Sequence, residues 1–243
     1  MPRGNTFEIR KVVESRFEGG KIVEGDYSQL EFRVAGFLAN DQQAYDDVRI
    51  GTDVHNYTAS VIGCTRQEAK AHTFKPLYGG TTGTEAQQRY YRAFKEKYGG
   101  VSAWHEDLQR EAVEKRVVTL PSGRQYAFPD ARWTKYGTAT HRTNICNYPV
   151  QGFATADLLP AALVRLDKLF QENKLRSVIC NTVHDSIVLD CHPDEFDICI
   201  KMMREAMLSL PEETERRYGV TYDMPVEIEI KSGDNWLDLH VVV

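Results

Sequence analysis

The 243-residue sequence contains no apolar run approaching the ~20 residues that a membrane-spanning helix needs. Residues 1–5 are not followed by an apolar segment of the kind found in secretory signals. The five cysteines form no Cys-x-x-Cys pair, so we interpret them as reduced thiols of a cytoplasmic protein. We therefore expect neither a membrane partner nor a disulfide framework.

Two common ligand-binding patterns are also missing. Cys180, His184, Cys191 and His192 could be drawn as a zinc site, but they lack the paired-ligand spacing of structural zinc sites. No glycine-rich loop of the P-loop type is present, which weighs against a general nucleotide-binding module. Hydrophobic residues make up 42% of the chain, which is ordinary for a globular protein that buries a core.

Positive charge is scarce in the chain as a whole. The formal net charge is −5, which by itself disfavours a nucleic-acid-binding protein. Residues 66–142, however, contain 14 Lys or Arg and 8 Asp or Glu, a local balance of +6 that leaves −11 for the remainder. This distribution favours a middle segment that approaches phosphates and flanks that hold cations. Solvated helix faces are the plainer alternative.

The stretch around Asp26 is predicted to organise the chain. Residues 21–25 have the composition of a strand that ends at Asp26. Ser28 followed by Glu31 forms a capping-box pattern, which predicts a helix starting at Ser28. A carboxylate at a strand end can bind a metal ion. The alternative is that Asp26 only forms a turn and Glu31 only caps a helix.

A second acidic position lies far along the sequence. Two apolar runs within residues 178–189 flank His184 and Asp185, which predicts a tight hairpin with a carboxylate at its tip. Only a fold can bring Asp26 and Asp185 together. Two close carboxylates repel each other unless cations lie between them, and Mg²⁺ prefers such oxygen ligands.

A stripe of four residues at helical spacing separates these acidic positions. Arg66, Lys70, Phe74 and Tyr78 are each four residues apart, so they share one face of a helix. Two cations followed by two aromatic rings suit a surface that receives a triphosphate at one end and a base at the other. Pro76 should kink or end this helix, which spans residues 65–79 in the prediction.

In this order, the three stretches resemble the motifs of family A DNA polymerases. Residues 26–34 read Asp-Tyr-Ser-Gln-Leu-Glu-Phe-Arg-Val, residues 66–79 match the Arg, Lys, Phe, Tyr-Gly pattern, and residues 183–185 match Val-His-Asp. Lys75 stands where the family usually has Gly, and Ser186 stands where it has Glu. The Lys75-Pro76 departure fits phage-type members better than bacterial repair enzymes. The resemblance covers only the palm and fingers regions.

The resemblance implies an α+β fold: an antiparallel palm sheet with helices, and an inserted, mainly helical fingers subdomain. It implies palm at residues 1–39 and 141–243 and fingers at residues 40–140. Because residue 1 lies just upstream of the first motif, thumb and exonuclease are expected to be absent. We therefore expect a truncated or split polymerase, with a second chain that carries the thumb and a 3′–5′ exonuclease.

The implied site contains two Mg²⁺ ions held by Asp26, Asp185 and the main-chain carbonyl of Tyr27. The catalytic residues implied are Asp26, Asp185 and Lys70, with Lys70 as a proton donor to pyrophosphate. The nucleotide-binding residues implied are Gln29, Glu31, His55, Arg66, Lys70, Phe74 and Tyr78. The DNA-binding residues implied are Arg3, Asn147, Gln151 and His184. Glu31 would crowd a ribose 2′-hydroxyl, and His55 has a plainer alternative as a capping or packing residue.

The implied activity is template-directed DNA synthesis from deoxynucleoside triphosphates on a primer-template, in the host cytoplasm if the protein is phage-encoded. A single-subunit RNA polymerase fragment and a non-catalytic replisome subunit are the alternatives. Elsewhere the patterns predict the following elements: a short strand near residues 7–13, helices at 42–49, 85–97, 102–115, 154–172 and 193–210, a hairpin at 117–128, and a strand at 226–230.

Overall fold

The computed structural model describes residues 8–242, so Arg3 lies outside the described residues. Contacts divide the chain into two compact units. The sheet unit comprises the described residues up to Ser28, Thr155–Arg217 and those from Val226 onward; the helical unit comprises Gln29–Ala154 and Tyr218–Pro225. In residues 8–242, no helix combines the length and the apolar character needed to cross a bilayer. The assignment of palm and fingers boundaries stays a prediction.

The elements of the described residues follow in chain order. The strands are β1 (Lys21–Tyr27), β2 (Val117–Thr119), β3 (Gln125–Ala127), β4 (Val178–Val183), β5 (Ser186–Cys191), β6 (Ile228–Gly233) and β7 (His240–Val241). The helices are α1 (Leu30–Leu38), α2 (Gln42–Arg49), α3 (Val54–Ile62), α4 (Arg66–Thr73), α5 (Glu85–Lys97), α6 (Gly99–Lys115), α7 (Arg142–Gln151), α8 (Leu159–Glu172), α9 (Phe196–Leu208) and α10 (Leu210–Tyr218). Short 3₁₀ turns lie at Ile9–Val12, Pro76–Tyr78 and Pro193–Glu195, and a π turn lies at Gly152–Leu158.

The sheet unit is built on five antiparallel strands in the order β4-β5-β1-β6-β7. The central strand β1 packs closely under α9. A Cβ atom added at Gly25 would lie 2.5 Å from the sulfur of Met203 and 2.7 Å from that of Met207, so a larger residue would require these two buried methionine side chains to move. Tyr27 lies on the same face, and its hydroxyl donates to the Met207 carbonyl over 2.7 Å. The alternate residues of β1, including Asp26, therefore lie on the opposite face of the sheet.

The predicted hairpin with Asp185 at its tip is confirmed. β4 and β5 pair from Val178 opposite Asp190 to Val183 opposite Ser186, which leaves His184 and Asp185 as the two turn residues. His184 has φ 55°, in the left-handed region that a tight two-residue turn requires. The register shifts between Ile179 and Asn181 and is then continuous to the turn, so the position of Asp185 is set by the sheet.

The helical unit has an aromatic core around α5, whose predicted bounds are confirmed. Tyr90 and Phe94 of α5 are buried, and Tyr98 packs edge-on against Phe32 of α1 with ring centroids 5.2 Å apart. The predicted hairpin at 117–128 is confirmed as β2 and β3. This hairpin packs against α6 in a second apolar cluster, in which Val118 and Phe128 lie with Leu108 and Ala112 of α6.

Four predicted helix boundaries are wrong, and the strand expected at 226–230 is observed at Ile228–Gly233. The helix expected to start at residue 102 starts at Gly99. The helix expected from Ser28 starts at Leu30, because Gln29 is left-handed (φ 54°) and the Ser28 N–H donates to the Glu227 carbonyl over 2.9 Å. Glu31 does not form a capping box, since its carboxylate accepts bonds from Tyr78 and Gln151 instead. The helix expected at 65–79 ends at Thr73, earlier than the position of Pro76 predicts. The helix expected at 154–172 is α-helical only over 159–172, because its first residues belong to the π turn that follows α7.

Two further differences lie near the ends of the described residues. Residues 9–12 form a 3₁₀ turn instead of the expected strand, with Ile9 and Val12 three residues apart as in one helical turn. Just after this turn, an isolated β-bridge joins Glu14 to Asn235, and the Trp236 N–H donates to the Val13 carbonyl over 3.0 Å. The helix expected at 193–210 is α9 preceded by a 3₁₀ turn, and α10 was not predicted.

Candidate active site

The sheet unit brings Asp26 and Asp185 to neighbouring positions. Asp26 of β1 lies directly opposite Ser186 of β5, and Asp185 is the residue before Ser186. The N–H of Tyr27 donates to the main-chain carbonyl of Asp185 over 3.3 Å, so the end of β1 is bonded to the hairpin turn. The two carboxylates that the sequence separates by most of the chain thus start from adjacent backbone.

The electrostatics of this acidic pair favour a proton or a cation. Burial, followed by the charges of Asp185 and Glu24, raises the pKa of Asp26 from 3.8 to about 7, and the charge of Lys231 opposes this rise. Glu229, which faces Asp26 from β6, adds a smaller upward effect. An ionised Asp26 is therefore costly at neutral pH unless positive charge compensates it.

The donor atoms at the acidic pair fit a hard cation. In the part of the chain that the structure describes, no group of three or more His, Cys, Asp or Glu side chains is arranged to hold a metal ion. Two carboxylates are nevertheless a common protein contribution to Mg²⁺, which keeps several waters and takes further ligands from substrate phosphates. The main-chain carbonyl of Tyr27 follows Asp26 directly, and its role as a ligand stays a prediction.

Three further charged residues lie on the same face of the sheet as Asp26 and were not predicted from the sequence. Glu24 lies two residues before Asp26, and Glu229 and Lys231 lie on β6, where they form an ion pair with each other. The alternation of residues 226–230 was the available signal, because it places Glu229 on the face opposite the apolar residues. His184, in contrast, is exposed at the hairpin turn beside Asp185, as its prediction as a DNA contact requires.

The cationic end of the predicted stripe lies on α4 in the helical unit. Arg66 is 48% exposed, and its Nε donates to Asp53 over 2.7 Å. Although burial alone would raise it, the pKa of Asp53 is held below its usual value by this bond and by backbone N–H groups of α3. Lys70 is exposed, and its ammonium forms no ion pair with any residue between 8 and 242. Both cations are close enough to His55 to lower the pKa of its imidazole.

His55 is more enclosed than a phosphate ligand needs to be. It is 9% exposed, its Nδ1 lies 2.9 Å from the Thr73 hydroxyl, and its ring meets Phe74 edge-on at 5.3 Å. Burial, the largest effect, lowers the pKa of His55, so the imidazole is neutral at neutral pH. The imidazole of His55 therefore packs against the ring of Phe74. A direct role of His55 in nucleotide binding stays a prediction.

The aromatic end of the stripe joins three predicted site residues in one network. The Tyr78 hydroxyl and the Gln151 side-chain amide each donate to one oxygen of the Glu31 carboxylate. The amide nitrogen of Gln151 also lies 3.2 Å from the Tyr78 hydroxyl. Asn147 precedes Gln151 by one turn of α7 and so lies on the same face. Gln29, the remaining predicted nucleotide contact, accepts a bond from the Val54 N–H over 3.3 Å.

Comparison with known proteins places these features in a family. A sequence profile described as DNA polymerase family A matches residues 2–238. DNA polymerase I of Pseudomonas aeruginosa is 32% identical over 245 residues, covering 92% of this chain and 25% of that protein. The DNA polymerase of Bacillus phage SP01 is 30% identical over 257 residues, covering 96% of this chain and 28% of that protein. The chain therefore spans about a quarter of the length of these relatives.

A solved structure shares the fold. It is the POL domain of Pol1 from M. smegmatis in complex with DNA primer-template and dNTP. The TM-score is 0.79 at 22% sequence identity, and the match covers 96% of this chain and 44% of that chain. The predicted α+β fold class, with an antiparallel sheet and a mainly helical part, is thereby confirmed.

Proposed function

The chain belongs to DNA polymerase family A, and from this we propose that it carries out template-directed DNA synthesis, adding deoxynucleotides to a primer 3′-hydroxyl. The observation that carries the proposal is the acidic pair, in which β1 and the β4–β5 hairpin bring Asp26 and Asp185 to adjacent positions. The raised pKa of Asp26 supports it, because such a site gains most when a cation replaces the proton.

In the proposed reaction, Asp26 and Asp185 would hold Mg²⁺, and the Tyr27 carbonyl would be a further oxygen ligand. When bound, two Mg²⁺ ions would supply positive charge that makes the primer hydroxyl more acidic and neutralises the triphosphate. The carboxylates orient the site because their backbone is fixed by the sheet register. His184 at the same turn is proposed to contact the primer-template.

Phosphate binding is assigned to the exposed end of α4. The Nε–H of Arg66 donates to the Asp53 carboxylate, which leaves the terminal guanidinium nitrogens to bind phosphate oxygens. The ammonium of Lys70, exposed and without an ion-pair partner among the described residues, is proposed to bind the triphosphate and donate a proton to the leaving pyrophosphate. His55 and Gln29 complete the proposed nucleotide contacts.

Sugar and base recognition is assigned to the Glu31 network. Because Tyr78 and Gln151 hold both carboxylate oxygens, Glu31 has little freedom to move away from a ribose 2′-hydroxyl. The proposal is therefore that the site selects deoxynucleotides and that Phe74 and Tyr78 stack against the base. Asn147 and Gln151 would donate to minor-groove acceptors, which every base pair offers.

The partners in the proposal are primer-template DNA and deoxynucleoside triphosphates, the two ligands with which the M. smegmatis polymerase domain was solved. The local charge of +6 in residues 66–142 supports binding to phosphates. A second chain that carries the thumb and a 3′–5′ exonuclease, and a cytoplasmic location, stay predictions from the sequence.

A primer-extension assay with Mg²⁺ tests the proposal. Wild type should extend a primer with deoxynucleotides, and Asp185→Asn should lose at least about a thousandfold in rate, since it removes a carboxylate that would hold the Mg²⁺ ions whose charge stabilises the reacting phosphate. Glu172→Gln, which removes an exposed carboxylate of α8 in the same unit, should match wild type. Equal extension by wild type and Asp185→Asn would refute the assignment. Faster incorporation of ribonucleotides would favour the RNA polymerase alternative.

A further inference from the structure

The loop of residues 130–141 connects β3 to α7 in the helical unit and presents aromatic and cationic side chains to solvent. Trp133 is 48% exposed and Tyr136 is 79% exposed. Each ring directly follows an exposed cation, Arg132 before Trp133 and Lys135 before Tyr136. Rings this exposed contribute little to a core, so packing does not account for their place in the loop.

Hydrogen bonds within the loop and to α6 hold its backbone in place. Trp133 forms an isolated β-bridge with Ala139, and the Thr134 N–H donates to the Thr138 carbonyl over 2.8 Å. The Ala139 N–H donates to the side chain of Gln109 on α6 over 3.0 Å, and Ala139 belongs to the apolar cluster of α6. Because the backbone is already ordered, little conformational entropy is lost when a ligand binds to the two rings.

The charge around the two rings is positive. Residues 131–154 contain three Lys or Arg and no Asp or Glu, and Asp130 is the one acidic residue of the loop. Neither Arg132 nor Lys135 forms an ion pair with any residue that the structure describes. The ammonium of Lys135 lies 5.1 Å from the centre of the Tyr136 ring. A ring beside a cation matches one nucleotide, which carries a base beside a phosphate.

We propose that the 130–141 loop binds an unpaired stretch of single-stranded DNA. Trp133 and Tyr136 stack against bases, and Arg132 and Lys135 bind the adjacent phosphates. Every base has a face that can stack, so the loop binds without sequence preference.

Single-stranded DNA fits these side chains better than a duplex does. The faces of paired bases are covered by their neighbours in the duplex, whereas unpaired bases can stack on aromatic rings. The loop leads directly into α7, which carries Asn147 and Gln151, the proposed contacts to the paired primer-template. The inference therefore rests on the proposed function and extends the contact with DNA from α7 to an unpaired strand.

Fluorescence anisotropy of labelled oligo-dT, titrated with the full chain in the absence of nucleotides, tests the stacking. Trp133→Ala should weaken binding of oligo-dT about tenfold, and Trp133→Phe, which keeps a ring, should stay within about threefold of wild type. Binding of a blunt duplex of the same length should change by less than about twofold in both variants. Ile50→Ala, which removes another exposed apolar side chain of the helical unit, should match wild type.

Tryptophan emission gives an independent signature of stacking. Trp133 is exposed, whereas Trp236 is buried and Trp104 packs against the apolar cluster of α6. Oligo-dT should therefore quench the emission of wild type, and Trp133→Phe should lose that quenching.

The salt dependence of binding tests the role of the cations. For single strands, log K falls with log[salt] with a slope of about −0.7 for each phosphate that the protein neutralises. Arg132→Gln should make the slope for oligo-dT shallower by about 0.7. Arg92→Gln, which removes an exposed cation of α5 in the same unit, should leave the slope unchanged. Thermal unfolding of all variants verifies that they fold.

Three results would overturn the inference: binding of oligo-dT by Trp133→Ala that equals wild type, an equal loss for oligo-dT and the duplex, or a change in the oligomeric state of Trp133→Ala without a change in DNA affinity. The last result would make the loop a surface for a second copy of the chain. Primer extension separates these failures from that of the proposed function. If wild type extends primers and Trp133→Ala binds oligo-dT normally, only the inference fails. If Trp133→Ala loses oligo-dT binding and wild type extends no primer, only the proposed function fails.

Discussion

The strongest quantitative prediction concerns the pH dependence of stability in Asp26→Asn. The folded carboxyl has its pKa raised from 3.8 to about 7 by burial and by Asp185 and Glu24, so the folded state keeps a proton that the unfolded chain releases. Stability therefore falls as pH rises from 3.8 towards 7 and stays low above it. At about 1.4 kcal/mol per unit, the full effect is about 4 kcal/mol.

About 3 kcal/mol of this loss falls between pH 5 and pH 8, because the first unit of the window lies below pH 5. Asparagine has nearly the same shape and does not titrate, so the unfolding free energy of Asp26→Asn should not show this decrease. The variant should therefore gain about 3 kcal/mol relative to wild type when the pH is raised from 5 to 8.

Urea unfolding at several pH values, with EDTA present to remove divalent cations, measures this difference. Glu172→Gln controls for the change in net charge, because it removes an exposed carboxylate of the same unit. Saturating Mg²⁺ at pH 8 should restore much of the lost stability to wild type only. An unfolding free-energy difference between Asp26→Asn and wild type that is the same at pH 5 and pH 8 would refute the reasoning.

Four further predictions concern single side chains. Lys70→Gln should raise the KM for deoxynucleoside triphosphates about tenfold in steady-state extension, since it removes one charge-assisted phosphate contact; an unchanged KM would exclude Lys70 from the phosphate site. Glu31→Ala should increase ribonucleotide incorporation in a competition assay, and unchanged sugar selectivity would contradict its assigned role. Tyr222→Phe should stabilise the protein by about 1 kcal/mol in urea unfolding, because the buried Tyr222 hydroxyl has no partner among the described residues; Tyr27→Phe, which removes a hydroxyl bonded to Met207, should destabilise it. Gly25→Ala should destabilise the fold by about 2 kcal/mol or more, because the added methyl meets the sulfur atoms of α9, and a stability equal to wild type would mean that α9 can shift.

The positions of Asp26 and Asp185 were predictable because their signals are local. Apolar residues at strand spacing lead to Asp26, and two such runs flank the His184–Asp185 turn. Sequence alone could not bring the two together, since that depends on the pairing of β1 with β5. The resemblance to a family with both motifs made the expectation specific.

The local environment of the site was less predictable because its partners are distant in the chain. Glu31 satisfies a local capping pattern with Ser28, but it bonds Tyr78 and Gln151, which lie 47 and 120 positions away. Glu24 has the sequence context of an ordinary exposed strand residue, and its indole partner Trp236 is 212 positions away. Where a local signal competes with a long-range hydrogen bond, only the folded chain decides between them.

The early end of α4 divides the stripe formed by Arg66, Lys70, Phe74 and Tyr78 into two structural segments. Arg66 and Lys70 lie on the α-helix, whereas Tyr78 lies in the 3₁₀ turn that starts at Pro76. Backbone bonds still join the two segments, from the Lys75 N–H to the His72 carbonyl and from the Tyr78 N–H to the Phe74 carbonyl, each over 3.2 Å. The conformation of residues 74–76 therefore sets where the Tyr78 ring lies relative to the two cations, and a substitution at Pro76 should move the ring without changing the helix that carries the cations.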